Sequence, residues 1–477
     1  MEENTSGSTG QDKILKPLLK LALPIILAQL FQVAYSFTDT YWVGKLGGNA
    51  VASITMSMPI LYLLTSLGIG FAIAGSTLTA QYFGAKDEKN LSRSAAQTML
   101  MVVAVSLVVS IIGFIFSADI LHLLGADPAI FADALSYLRI EFVALIFNFA
   151  FFIFQSIMRS VGRPQTPVYI VVGTVILNFV LDPLFMFGWG PINGSGVAGV
   201  AIATALTQSI AAIAGLSLLF GGKHGIHLHW HDFRPDFAFI KKAFFLGLPA
   251  SIEQSARSLS LTVITGLIAA FGTVAVAAYG LGTNILQLML MASFGLAGAT
   301  AAMVGHSLGA GDPKRAKRVA LLGMKLSAAA FTTIGVIAFI FAPSLIRFFV
   351  PHEIEVITAG TRYLHYIAPI FALIAIQIIA GSSLQASGHT AKAMKLTLFS
   401  QWVVQIPLIY AFSRFTNLGI DGIWLAFPVT SVIMSAIYLY IFFKSGWENK
   451  KLISQEDKLS VEVQQESETE TGVPYET

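Results

Sequence analysis

Acidic and amide side chains stand inside long apolar stretches at two places in the sequence. In the stretch "QVAYSFTDTYWVG", Gln32, Tyr35 and Asp39 follow helical spacing and share one face. Further along the chain, Asn178 precedes Asp182 by four residues, which again places both on one helix face. Ionisable groups in the hydrocarbon region of a membrane cost about 2.5–3.5 kcal/mol each to insert, so such groups are functional candidates.

The expected depths of these side chains agree. Asp39 and Asp182 each lie roughly 8 Å from the same end of their helices, and Tyr137 and Thr204 lie about 12 Å into theirs. Hard cations prefer oxygen ligands, and two close carboxylates in low dielectric favour uptake of a proton or a shared cation. The set therefore predicts a site that binds and releases such an ion, and Pro24, earlier in the first helix, can act as a hinge.

The composition identifies the chain as an integral membrane protein. Of its 477 residues, 55% are hydrophobic and only 12% are charged, whereas water-soluble domains need far more polar surface. The net charge of +3 gives no reason to expect a nucleic-acid partner. The absence of cysteine excludes disulfides, thiolate metal sites and cysteine nucleophiles. No cofactor is expected, and the polar ends are typical of disordered tails without a signal peptide.

Apolar runs of about 20 residues, long enough to cross a bilayer, recur along nearly the whole chain. Separated by polar breaks, they predict an all-α membrane protein with twelve transmembrane helices in two pseudo-symmetric six-helix bundles. The predicted spans are 18–43, 50–83, 93–117, 130–158, 166–187, 197–220, 240–270, 275–308, 317–342, 354–385, 393–413 and 420–443.

Basic residues then indicate the orientation. One set of connections and both tails are rich in lysine and arginine, whereas the alternate connections hold only Lys45, Arg347 and Arg414. Because basic loops stay on the cytoplasmic side, both termini are predicted to be cytoplasmic. The chain is accordingly divided into a tail at 1–17, an N-lobe at 18–220, a linker at 221–239, a C-lobe at 240–443 and a disordered tail at 444–477.

The two halves repeat each other at a shift of 225 residues. "LALP" at 21–24 returns as "LGLP" at 246–249, and Gly70 corresponds to Gly295 without any gap. Six helices in each half make the repeat parallel, as in transporters built from two rocking lobes. Asp39 corresponds to Ile264, so the charged set lies in one half only, which favours a functional role over a structural one.

Other polar groups have simpler interpretations. His227, His229 and His231 alternate in the linker and could offer metal ligands, but a solvated linker is the favoured reading. Glu253 and Arg257 have the spacing of a local helical ion pair.

Glu141 and Arg139, near the middle of the fourth helix, are expected to pair with other groups.

These residues resemble the multidrug and toxic compound extrusion (MATE) transporters, in the prokaryotic branch called DinF-like. The resemblance covers nearly the whole chain. It rests on the spacing of Gln32, Tyr35 and Asp39, on "YLRI" and "MRSVGRPQTP" after it, and on Asn178 followed by Asp182 and a proline.

The resemblance implies a H+- or Na+-coupled antiporter, not an enzyme, that expels bulky, often cationic and aromatic drugs from a prokaryotic cell across its inner membrane. A monomer in the lipid bilayer is expected. Proton uptake at Asp39 would bend the first helix at Pro24. The implied N-lobe cation site is Asp39, Asn178, Asp182 and Thr204, with Gln32, Tyr35 and Tyr137 in its network or in the drug wall.

One departure from the family limits which of its site residues are expected in this chain. Another branch carries an acid deeper in the seventh helix, where this chain has Arg257, so a C-lobe cation site is not expected.

Two alternatives stay open from the sequence. A flippase for a lipid-linked precursor would need cationic side chains in its cavity. A membrane enzyme would need catalytic groups clustered on interfacial loops, for which only the histidine-bearing linker qualifies.

Overall fold

The computed structural model describes residues 12–222, 225–450 and 452–453. The parts of the predicted tails and linker at 1–11, 223–224, 451 and 454–477 lie outside the described residues. The helices are α1 (Asp12–Leu46), α2 (Gly48–Ala85), α3 (Glu88–Leu123), α4 (Pro128–Ser160), α5 (Gln165–Phe187), α6 (Val197–Phe220), α7 (Phe237–Ala269), α8 (Thr273–Gly309), α9 (Pro313–Ile340), α10 (Ala342–Phe349), α11 (Ile354–Ile367), α12 (Phe371–Ala386), α13 (Thr390–Leu398), α14 (Ile406–Arg414) and α15 (Ile420–Lys444).

The all-α prediction is confirmed, with small additions. A two-residue antiparallel strand pair, Gly188–Trp189 with Ile192–Asn193, joins α5 to α6. The π-helical segment Phe399–Gln405 joins α13 to α14. The short helix α10 was not predicted, and α1 begins at Asp12, inside the segment predicted as a tail.

Eleven helical segments of the described chain are long and apolar enough to cross a membrane, counting α11–α12 and α13–α14 as one each. The seventh predicted span falls on α7, which is 33 residues long but is not among the eleven. Its apolar content is lowered by Lys241, Lys242, Glu253 and Arg257. The charges on α7 therefore explain the difference between eleven apolar segments and the twelve predicted spans.

The two halves pack together about the repeat predicted from the sequence. A Cβ at Gly70 of α2 would lie 2.2 Å from the backbone nitrogen of Ser251 in α7, and a Cβ at Gly295 of α8 would lie 2.3 Å from Ile26 in α1. The pairs are related, because Gly70 and Ile26 each stand 225 positions before Gly295 and Ser251. Small residues at both crossings let the helix backbones approach closely.

A second pair of related contacts closes one end of the bundle. A Cβ at Gly84 would lie 2.1 Å from the carbonyl oxygen of His306, and a Cβ at Gly309 would lie 1.9 Å from that of Gln81. The same ends carry the basic connections after α2, α4, α8 and α12, and we call this end the basic face. The halves are therefore tightly packed at the basic face.

Hydrogen bonds between the halves lie on the same side. Within the described chain they run from Ser66, at the middle of α2, to the basic end of that helix. Ser66 contacts Ser258 at 3.3 Å, Thr77 donates to the carbonyl of Gln385 at 3.2 Å, and the Gln81 amide donates to that of Ala386 at 3.0 Å. The structure is consequently a state closed at the basic face.

Helix α1 belongs to both halves. Ile14, Leu18 and Ile25, in its first part, are buried in the core formed with α8, α9 and α12. Val43, near its end, is buried in a cluster with residues of α2, α4, α5 and α6. Pro24 lies inside the continuous helix, close to the point at which α1 passes from one half to the other.

We expect Gly70→Ala to lower the free energy of unfolding by about 1–3 kcal/mol, because the new methyl group collides with the backbone of α7. Gly266→Ala is the matched control, since a Cβ there meets no atom within 4 Å. Thermal unfolding of the detergent-solubilised protein measures both. Equal melting temperatures for the two variants would contradict the packing described here.

Candidate cation site

The structure brings the two acidic side chains of the sequence prediction together. Asp39 on α1 and Asp182 on α5 lie side by side, close enough for their charges to interact, and Asn178 lies beside Asp39. The Asn178 Nδ2 donates to Asp182 Oδ1 at 3.0 Å. Asn178 and Asp182 are completely buried, whereas Asp39 is half-buried.

Three oxygen atoms of this group are buried without a hydrogen-bond partner in the structure. They are Asp39 Oδ1, Asn178 Oδ1 and Asp182 Oδ2. An unsatisfied buried polar atom costs about 1–3 kcal/mol, and more when the group is charged. Oxygen atoms that lack donors are suited to a proton or to a hard cation such as Na+. These three oxygen atoms therefore fit the proton or cation predicted from the sequence, and the role of the site in binding that ion stays a prediction.

A hydroxyl chain connects α1 to α6 beside the carboxyl groups. The Thr207 hydroxyl donates to the carbonyl of Thr204 at 2.9 Å and lies 2.9 Å from the Tyr35 hydroxyl. Because threonine has one hydroxyl hydrogen, the Tyr35 hydroxyl donates to Thr207. The side chain of Thr204 also lies close to Tyr35. Thr207 was missed by the sequence analysis, although it shares a helix face with Thr204.

A third acid lies on α4. Glu141 is close enough to Asp39 for the two carboxyl groups to interact electrostatically, and it also lies near the phenol of Tyr137. Tyr137 is buried in the cluster that surrounds the end of α1. Arg139 contacts other groups, as expected: its Nε donates to the Ser117 hydroxyl at 3.2 Å, and its guanidinium lies over the Phe114 ring.

The remaining predicted residues are placed outside this contact network. Gln32 is exposed on α1, and no side-chain hydrogen bond of Gln32 is found among the described residues. Pro24 lies a few turns before the carboxyl group of Asp39 in the same helix. Their predicted roles, in the network or drug wall and as a hinge, therefore rest on position alone.

The C-lobe contains a separate buried acid whose oxygen atoms are occupied. Glu253 Oε1 accepts from Arg257 and from the Thr397 hydroxyl, both at 3.0 Å, and Oε2 accepts from the Gln385 amide at 3.0 Å. The local ion pair expected for Glu253 and Arg257 is present. A carboxylate with these donors has no need of a cation.

Long apolar helices in two related halves, with a pair of acidic side chains that lack cationic partners inside one half of the described chain, are typical of membrane transporters with two lobes. A family profile described as MatE matches residues 24–184 and 249–411. The chain belongs to the MatE family and is therefore a membrane transporter, which confirms the family recognised in the sequence.

Known proteins align with about nine tenths of this chain. The chain is 26% identical to "Probable multidrug resistance protein YoeA" of Bacillus subtilis, over 90% of this chain and 93% of that protein. It is 25% identical to a protein named "FAD transporter" of Shewanella oneidensis, over 89% and 93%. The structure described as "Crystal structure of MATE in complex with MaL6" aligns with a TM-score of 0.85 at 22% identity, over 91% and 97%. These similarities establish the fold.

We expect Asp39→Asn to raise the free energy of unfolding by about 1 kcal/mol at neutral pH, because an amide can donate to the unpartnered oxygen of Asp182. Asp133→Asn, at an exposed position of α4, is the control and should change little. Thermal unfolding in detergent measures the difference. A lower stability of Asp39→Asn than of the native chain would contradict the finding that these oxygen atoms lack hydrogen-bond donors.

We expect Arg257→Met to lower the free energy of unfolding by about 2 kcal/mol, because the buried Glu253 then loses its cationic partner. Arg93→Met is the control, since Arg93 pairs with Asp236 and the two side chains are 48% and 26% exposed, where an ion pair contributes at most about 1 kcal/mol. The same unfolding measurement applies. Equal losses in the two variants would disagree with the burial of the Glu253 network.

Proposed function

We propose that the chain is a cation-coupled multidrug efflux antiporter, driven by H+ or Na+ through the N-lobe carboxyl pair. The observation that supports this is the group of three buried oxygen atoms without donors on Asp39, Asn178 and Asp182. A bound cation stabilises such a site more than it would stabilise a site whose oxygen atoms already accept hydrogen bonds. The family membership indicates that the chain is a transporter. The carboxyl pair is the proposed place at which the ion gradient supplies the energy.

Coupling follows from the electrostatics of the pair. Two carboxylates at contact in a low-dielectric interior repel each other strongly, so the site with a bound ion and the site without one differ in stability. An ion shifts the lobes only through different affinities for their two arrangements. We propose that ion binding and drug binding favour opposite arrangements of the lobes, so that the ion enters in exchange for the exported drug.

Helix α1 is the proposed connection between site and lobes. Its end carries Asp39 and Tyr35, which bind to α5 and α6, and its first part packs on the C-lobe through Ile26 and Gly295. A change of charge at Asp39 therefore acts on a helix that contacts both halves. Pro24 leaves the carbonyl of Lys20 without its helical donor and is the proposed hinge.

The proposed substrates are bulky, often cationic and aromatic compounds. The name of the Bacillus subtilis relative supports this class, while the Shewanella oneidensis relative named for FAD, at similar identity, is the reason to test an anionic aromatic compound too. The flippase alternative is less favoured. The predicted spans offer four cationic residues for such a cavity, Arg139, Arg257, Lys325 and Arg362. Three of them, Arg139, Arg257 and Arg362, are engaged in local contacts.

The proposed location is the inner membrane of a prokaryotic cell, with the basic face and both termini in the cytoplasm. The distribution of lysine and arginine supports that orientation. In this orientation the structure is closed to the cytoplasm. We also propose that the transporter works as a monomer, with the lobe boundaries given by the sequence.

We expect Asp39→Asn to lose ion-driven dye efflux from vesicles at least tenfold, because an amide cannot take up and release a proton or balance a cation. Efflux is measured under a Na+ gradient at fixed pH and, separately, under a pH gradient without Na+. The gradient that drives the native chain identifies the coupling ion. An anionic flavin compound is run beside the cationic dye.

Asp133→Asn is the matched control and should keep native efflux. Full coupling in Asp39→Asn, or efflux by the native chain without any gradient, would contradict the proposal. Movement of a labelled lipid between leaflets, without dye efflux, would favour the flippase.

A further inference from the structure

The linker between α6 and α7 holds its histidines in an ordered arrangement. Ile226 and Leu228 are buried, and the Leu228 nitrogen donates to the carbonyl of Leu219 at 3.1 Å. Because side chains alternate along an extended segment, His227 and His229 lie together on the exposed side. Their ring centroids are 4.2 Å apart. The buried apolar residues therefore present the imidazoles as a pair.

A tight turn then brings a third histidine and a carboxylate to the same place. The 3-10 turn Trp230–Phe233 begins with the His229 nitrogen donating to Asp232 Oδ2 at 2.9 Å. The Gln97 amide of α3 donates to the carbonyls of Asp232 and Arg234 at 2.6 and 2.7 Å. The turn is thus fixed to the N-lobe, and Asp232 is buried beneath the exposed imidazoles.

The ligand atoms of this cluster have a spacing close to that of a metal site. His231 Nε2 lies 3.1 Å from Asp232 Oδ1, and His229 Nδ1 lies 3.6 Å from Asp232 Oδ2. One ligand atom from each of the three side chains falls within 4.8 Å of the others. In tetrahedral zinc sites, with bonds of about 2.0–2.1 Å, neighbouring ligand atoms are about 3.4 Å apart. The exposed imidazoles need only small rotations to close this distance.

We propose that His229, His231 and Asp232 bind a divalent transition-metal ion, with Zn2+ as the expected occupant. Imidazole is a ligand for Zn2+, Ni2+ and Cu2+, and Zn2+ also binds carboxylate oxygen, whereas Mg2+ suits oxygen ligands only. His227 stands next to His229, and Glu88 of α3 lines the same open cavity of about 500 Å³, which leaves room for water as a further ligand. The site is independent of the N-lobe carboxyl pair and of the proposed antiport.

The proposal differs from the interpretation favoured by the sequence, which was a solvated linker without a metal ion. Three alternating histidines alone favoured a solvated segment, because no cysteine and no second ligand cluster accompany them in the sequence. Asp232 follows His231 directly and looks like an ordinary turn residue in the sequence. The turn places its carboxylate between two imidazoles, and this juxtaposition carries the proposal.

The test uses the full chain, purified in detergent with an affinity tag that contains no histidine. Zn2+ alone is titrated against a chromogenic zinc chelator. We expect one high-affinity ion for each chain, and at least tenfold weaker binding in the double variant His229→Ala/His231→Ala. His352→Ala, at another exposed histidine, should bind as the native chain does.

Co2+ serves as a second probe, because a protein site with few water ligands gives it a stronger visible absorption than the hydrated ion has. The absorption should appear with the native chain and with His352→Ala, and disappear in the double variant. Melting temperatures without metal verify that the variants are folded. Equal Zn2+ affinity of the native chain and the double variant, or a Co2+ spectrum like that of the free ion, would overturn the proposal.

Discussion

The contact between two carboxyl groups in a low-dielectric interior is the constraint on which the proposed transport cycle depends. Asp39 and Asp182 meet where α1 crosses α5, and neither is paired with a lysine or arginine in the described structure. Like charges at such a distance cannot both persist without a proton or a cation. In the proposed cycle, the stability of this crossing, and with it the position of α1, varies with the occupancy of the site by an ion.

The same helix explains how a local charge acts on a large assembly. Helix packing in a membrane relies on close van der Waals contact between small residues, and the related crossings at Gly70 and Gly295 hold the halves together near their middle. Helix α1 takes part in one of these crossings and also carries Asp39. In the proposed mechanism, an ion at Asp39 therefore acts on a helix that is already fixed to the opposite lobe, so that no separate signalling pathway is needed.

Much of the fold could be predicted because helix ends in this chain are marked locally. Helix α6 runs from Val197 to Phe220 as predicted, since Gly196, with a positive φ, and Gly221 border the apolar run. The start of α1 was missed because its first turns mix lysines with residues buried against the C-lobe, a pattern that hydropathy assigns to a tail. The meeting of Asp39 and Asp182 could be anticipated from spacing and depth. The contact of Tyr35 with Thr207 could not, because one threonine among small residues carries no distinguishing signal.

The C-lobe provides an internal comparison for the site. Ile264, the counterpart of Asp39, is buried in an apolar core with Tyr279, Tyr363 and Trp424. The same helical arrangement therefore packs well without any acid at this position. Because the fold does not require Asp39, its unpaired carboxyl group is a cost in stability that only one lobe bears. Such a cost, absent from the related position of the other lobe, is typical of a residue kept for function, and the symmetry of the chain makes that distinction visible within one molecule.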